Sequence, residues 1–111
     1  MISKSNAEHY IWGERCDGWR LVDREEMSVI HEKMPPNTRE TRHFHIKASQ
    51  FFFVLSGYMH IEVDGTEHLL QAHEGIEVRP GTPHQVFNKS EHPLEFLVYS
   101  QPNTRNDRVQ A

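Results

Sequence analysis

Short apolar runs, each closed by a turn residue, follow one another along this chain. Trp19-Arg20-Leu21-Val22 and the stretch from Met27 to Met34 are rich in strand-forming residues, and the second ends at the breaker cluster Pro35-Pro36-Asn37. Phe51-Phe52-Phe53-Val54-Leu55, closed by Ser56-Gly57, is too short and too aromatic for a helix and reads as a strand. Tyr58 to Val63, Asp64-Gly65 and Thr66 to Gln71 predict a hairpin, because Asp-Gly suits a type I′ turn. A two-residue loop then sets Val63 opposite Thr66 and Ile61 opposite His68. Gly75 to Val78, Gln85 to Asn88 and Leu94 to Ser100 complete the set, and no segment carries a helical stripe. Short strands at this spacing predict an all-β barrel or sandwich.

Strand alternation assigns faces. Gln50, Phe52 and Val54 share one side of their strand and should face the interior, with Phe51 and Phe53 opposite. On the hairpin, Met59, Ile61 and Val63 form the apolar side. His60 therefore points outwards, while His68 shares the side of Ile61 and can enter a pocket.

The 111 residues predict one domain, with the barrel at about 17–101 and a polar tail, 103–111, that should fray. A hydrophobic content of 36% suits a barrel of short strands with one wet face. The net charge of −4 offers no basic surplus for nucleic acid or an anionic membrane. The single Cys16 precludes an intrachain disulfide and removes any need for an oxidising compartment. No apolar run approaches the roughly 20 residues of a transmembrane helix, and Met1-Ile2-Ser3-Lys4 lacks a signal-peptide core. The expected location is cytoplasmic.

The chemistry lies in His43-Phe44-His45, in Gln50, and in Pro80-Gly81-Thr82-Pro83-His84. On an extended strand His43 and His45 point the same way. Gln50 follows on the next strand, and Pro80 and Pro83 rigidify the turn that presents His84. Three imidazoles and an amide oxygen suit one divalent transition metal such as Fe, Mn, Ni or Zn. Gln50 is either the fourth ligand or a hydrogen-bonding spacer beside a three-histidine site. With only neutral ligands the metal keeps its charge, which favours a small anionic co-ligand at an open position.

These residues resemble the two motifs of cupins. The first is matched by Asn37, five residues, His43-Phe44-His45, four residues, Gln50, six residues and Gly57; the second by Gly81-Thr82-Pro83-His84, three residues and Asn88. Asn37 and His73 stand where each motif opens with Gly, Gln50 where Glu is usual, and Arg79 where Pro is usual. The resemblance implies a double-stranded β-helix (jelly-roll) barrel with a metal in its mouth. It also implies that the last strand feeds the site, where Tyr99 would aim its hydroxyl inwards as a catalytic acid, base or hydrogen-bond donor. With Phe52 and His68 placed by strand alternation and Tyr99 by the resemblance, these three are the expected pocket residues.

Three-histidine sites with Gln resemble those of small cupins that rearrange unsaturated or keto sugar acids. The functional expectation is a metal-dependent isomerase or lyase acting on a small polar or anionic molecule. An Fe(II) dioxygenase is the rival chemistry, and a non-catalytic cupin that binds or senses a small ligand or metal is the alternative class. Leu97, on the last strand where an acid/base carboxylate would help, weighs against catalysis. Phe51, Phe53 and Trp19 predict a homodimer, since isolated aromatic area in water is unfavourable.

Overall fold

The computed structural model describes residues 1–111 and is all-β. Twelve strands form two antiparallel sheets: β1 (Glu8–Trp12), β2 (Cys16–Asp23), β3 (Ser28–Met34), β4 (Thr38–Arg39), β5 (His43–Phe44), β6 (Ser49–Ser56), β7 (Met59–Val63), β8 (Thr66–Leu70), β9 (Gly75–Val78), β10 (His84–Asn88), β11 (Leu94–Gln101) and β12 (Val109–Gln110). One sheet runs β1-β2-β3-β11-β6-β9 and the other β12-β5-β10-β7-β8, with β4 also on β10. Consecutive strands repeatedly cross between the sheets, as a jelly roll requires.

Between the sheets lies a core that includes Met34, Val54, Met59, Ile61, Val86, Leu94 and Phe96, none more than 1% exposed. The predicted hairpin has the expected register, Val63 opposite Thr66 and Ile61 opposite His68. Asp64 and Gly65 both take positive φ, 49° and 89°, as a type I′ turn demands. The two motif positions where Asn37 and His73 replace Gly keep left-handed backbone, with φ of 59° and 68°. Asn and His are among the residues that tolerate this conformation, so the departures alter the side chain and spare the turn. Gly57 cannot be replaced so easily: a Cβ there would lie 2.5 Å from the Pro93 carbonyl oxygen. Asn88 is 1% exposed, and its Nδ2 donates to the carbonyls of Met34, Pro35 and His92, so it ties these segments together.

The two ends of the chain differ from expectation. Regular structure begins at Glu8 rather than near residue 17. The C-terminal segment does not fray: Asp107 is buried and β12 pairs with β5 through Val109 opposite Phe44 and Gln110 opposite His43. Its polarity is that of a strap whose side chains bond to the barrel rather than pack into it.

Candidate metal centre

β5 and β10 are neighbours with His43 directly opposite His84, and His45 follows at the end of β5. The ligating atoms of the three imidazoles lie within 4.8 Å of one another, and all three residues are buried. Their orientation is fixed from behind. His43 Nδ1–H donates to the Thr41 carbonyl at 2.9 Å, His84 Nδ1–H to the Thr82 carbonyl at 2.9 Å, and His45 Nδ1–H to the Asp107 carbonyl. Because a carbonyl only accepts, each ring is held with its proton on Nδ1 and its lone pair on Nε2.

Gln50 enters from β6. Its Nε2 donates to Ser100 Oγ at 3.0 Å, and Ser100 lies opposite it on β11. Gln50 Oε1, His45 Nε2 and His84 Nε2 are buried without any hydrogen-bond partner. Unsatisfied buried polar atoms are costly and rare; here His45 and Gln50 line one cavity and the ligating atom of His84 lies within 4.8 Å of those of His43 and His45, so the donor set fits a divalent ion. Burial pushes all three imidazoles below their ordinary pKa, with the backbone acceptors partly opposing, and His43 falls to about 3. The rings are neutral at neutral pH, as ligation requires.

The cavity that His43, His45 and Gln50 line has a volume of about 160 Å³. Phe52 forms its floor, 4% exposed, with its ring 5.8 Å from that of His84 and 6.1 Å from Phe96. Two expected pocket residues are elsewhere. Phe96, Val98 and Ser100 are the buried, inward positions of β11, so strand alternation puts Tyr99 on the outer face. Its hydroxyl donates to Gln101 Oε1 at 2.9 Å, and the expected inward catalytic hydroxyl is corrected accordingly. His68 shares the inner side of Ile61 but sits on β8, two strands from β10, and does not line the cavity.

The same cavity holds groups that sequence reasoning missed: Tyr10 and Glu32 from the other sheet, Glu40, whose carboxylate lies 3.9 Å from His43 Nδ1, and Arg108 from the strap. Tyr10, Gly18 and Glu32 stand opposite one another across β1, β2 and β3. Gly18 makes room for Tyr10: a Cβ would lie 2.3 Å from Tyr10 Cζ, so the phenol ring crosses the space that a side chain would fill and would have to move. Burial raises the Glu32 carboxyl to about 8, with the charge of Glu40 adding to it and Arg108 and Arg20 opposing. Burial likewise raises Glu40 to about 7, against the pull of Arg108 and a hydrogen bond from the Val86 N–H at 2.9 Å. The Tyr10 phenol is pushed up by burial first and by Glu32 second. Arg108 makes one hydrogen bond, to the Thr41 carbonyl at 3.3 Å. The bare signal for Glu32 was a carboxylate at an inward position of a strand, interrupting Ile30 and Met34 on the same face.

The family follows from these features together. The model of the cupin domain matches residues 30–100, and the chain belongs to the cupin family. An oxidoreductase of Arthrobotrys oligospora is 28% identical over 78 residues; the match covers 67% of this chain but only 29% of that relative's length. An RmlC-like cupin from Shewanella frigidimarina superposes with a TM-score of 0.86 at 19% identity, covering 96% of this chain and 93% of that one. A predicted oxalate decarboxylase from Thermotoga maritima gives a TM-score of 0.85 at 16% identity, covering 93% and 99%. At these identities the solved structures share the fold alone.

Proposed function

We propose that this cupin is a metal-dependent enzyme acting on a small anionic molecule, with chemistry of the isomerase or lyase type. The observation that carries the reading is Glu32, a carboxylate with a raised pKa that lines one small cavity with His43 and His45, two of three preoriented imidazoles whose ligating atoms lie within 4.8 Å of one another. A divalent ion bound there supplies Lewis acidity and open positions for a substrate oxygen. The chain's own groups do the rest. Glu32 takes up or delivers a proton at the substrate carbon or oxygen that faces it, because a carboxyl poised near neutral pH does both well. Tyr10 lies beside it to share that proton. Arg108 pairs with a substrate carboxylate, and Phe52 closes the floor against water. The cavity, of about 160 Å³, suits an acid of a few carbons.

An oxidative reaction is the second reading, and the likeness to an oxidoreductase of Arthrobotrys oligospora is what favours it. We also propose that the protein pairs as a homodimer through the outer face of the six-stranded sheet that carries Phe51 and Phe53.

Metal content is the first test. Protein purified without chelator should hold one equivalent, lost in His45→Ala and His84→Ala; a double variant that keeps a full equivalent would place the metal elsewhere. Loaded in turn with Fe, Mn, Ni and Zn, it should then exchange carbon-bound hydrogen of a small hydroxy or keto acid with deuterated water, followed by NMR. Glu32→Gln should bind metal normally and lose exchange. Full metal loading with no turnover of any acid would leave the non-catalytic binding reading.

A further inference from the structure

The three histidines are not oriented in the same way. His43 and His84 each donate to a carbonyl two residues earlier, within their own segments. His45 donates to the carbonyl of Asp107, 62 positions away. The same Asp107 turns its carboxylate onto the loop that leads from His45 to Gln50. Its Oδ1 accepts the Ile46 N–H at 2.7 Å, and its Oδ2 accepts those of Lys47 and Ala48, both at 3.0 Å. One residue thereby satisfies three backbone donors between two candidate ligands and fixes the tautomer of the first. It is only 9% exposed. Further along the strap, β12 pairs with β5, and the Ala111 N–H donates to the Arg42 carbonyl. Thr104 and Arg108 of the strap line the cavity itself.

We infer that Asp107 is a positioning residue of the metal centre, and that the strap from Thr104 to Gln110 completes the site by holding His45 and the 46–48 loop in ligating geometry. The inference rests on the metal reading. Losing the carboxylate frees three N–H groups and lets the loop move, so Gln50 and His45 lose their fixed separation. Outer contacts of this kind are worth about 10- to 100-fold in metal affinity. Coupling is reciprocal, so a metal that needs the strap in place must also hold it in place.

Cobalt(II) titration, with affinity and visible ligand-field bands read together, tests this on wild type, Asp107→Asn, Asp107→Ala and the core variant Leu70→Ala. Leu70 is buried on β8 and does not line the cavity, so it reports general destabilisation. The expected result is a 10- to 100-fold weaker affinity and altered bands in the Asp107 variants, with both unchanged in Leu70→Ala. Wild-type affinity and bands in folded Asp107→Asn would overturn the inference, as would equal losses in Leu70→Ala. Should the Asp107 variants not fold, amide exchange in the wild type decides: Ile46, Lys47 and Ala48 should exchange at least about tenfold more slowly with zinc bound, and unchanged rates would refute the strap's role. A wild type that takes up no cobalt or zinc would instead remove the metal reading itself, and the inference with it.

Discussion

Gln50 and Ser100 face each other across β6 and β11, and the 3.0 Å bond from the amide to the hydroxyl commits the nitrogen of Gln50 and leaves its oxygen free in the cavity. An amide oxygen so held adds a donor without adding charge. Gln50→Glu would add the charge and lose the bond in which nitrogen donates. Metal affinity should rise, while binding of a small carboxylate to the loaded protein should weaken by roughly 1–2 kcal/mol. Calorimetric titration of a carboxylate series into both loaded proteins measures this, and equal affinities would show that the amide does not tune the ligand.

Arg108 is the one Lys or Arg lining the cavity; it acts on Glu32 and Glu40 through charge, but its guanidinium makes no close ion pair and its one hydrogen bond goes to the Thr41 carbonyl. Arg108→Gln should therefore weaken carboxylates by about 1–3 kcal/mol, the worth of a charge-assisted hydrogen bond, and leave neutral alcohols of the same size unaffected. Arg108→Lys should restore only part, because an ammonium lacks the planar fork. If amides and acids lose equally, the side chain shapes the pocket and does not read charge.

That the candidate metal ligands are legible in the sequence, and the rest of the cavity is not, has a physical explanation. His43, His45 and His84 belong to two short segments whose geometry is local: an i, i+2 pair on a strand and a turn rigidified by Pro80 and Pro83. Gln50, Phe52 and Val54 followed from alternation alone. Glu32, Tyr10 and Arg108 meet only because β1, β2 and β3 pair in one register and a strap from residue 104 onwards folds back on β5. Those contacts are long-range, and the polar tail is expected to fray because nothing in its own composition shows that Asp107 will find three N–H groups. Tyr99 departs from expectation for a different reason: strand parity sets it with Leu97 on the face opposite Phe96 and Val98, and the resemblance to cupins whose last strand feeds the site does not override that parity.

On the outer face, Phe51 is 43% exposed and its ring stacks on Phe53 at 6.2 Å, with His73 beyond at 6.3 Å. Trp19, His31, Leu97 and Phe53 form one cross-strand line over the same surface. Sedimentation at high micromolar concentration should give a dimer, and Phe51→Asp should shift it towards monomer without lowering metal content. A wild-type monomer at that concentration would rule this face out as the interface.

The metal-free protein should have an unusual pH profile, because its buried groups pull in opposite directions. His43, lowered to about 3, stays neutral in the native state where the unfolded imidazole takes a proton, so it adds stability as pH rises from about 3 to 6.5. Glu32, raised to about 8, keeps a proton in the native state where the unfolded carboxyl has lost one. Its contribution is therefore fully present below about 4.5, falls as pH rises, and is gone above about 8. Glu40 acts in the same sense up to about 7. In Glu32→Gln the alkaline fall should shrink. Chelator-treated variant and wild type should be equally stable near pH 4, whereas at pH 8.5 the variant should be more stable by on the order of 1–3 kcal/mol, discounted for partial solvent access. Urea denaturation at the two pH values measures the difference directly. The same gap at both would mean that the carboxyl titrates normally, and Glu32 would lose its claim to move protons near neutral pH.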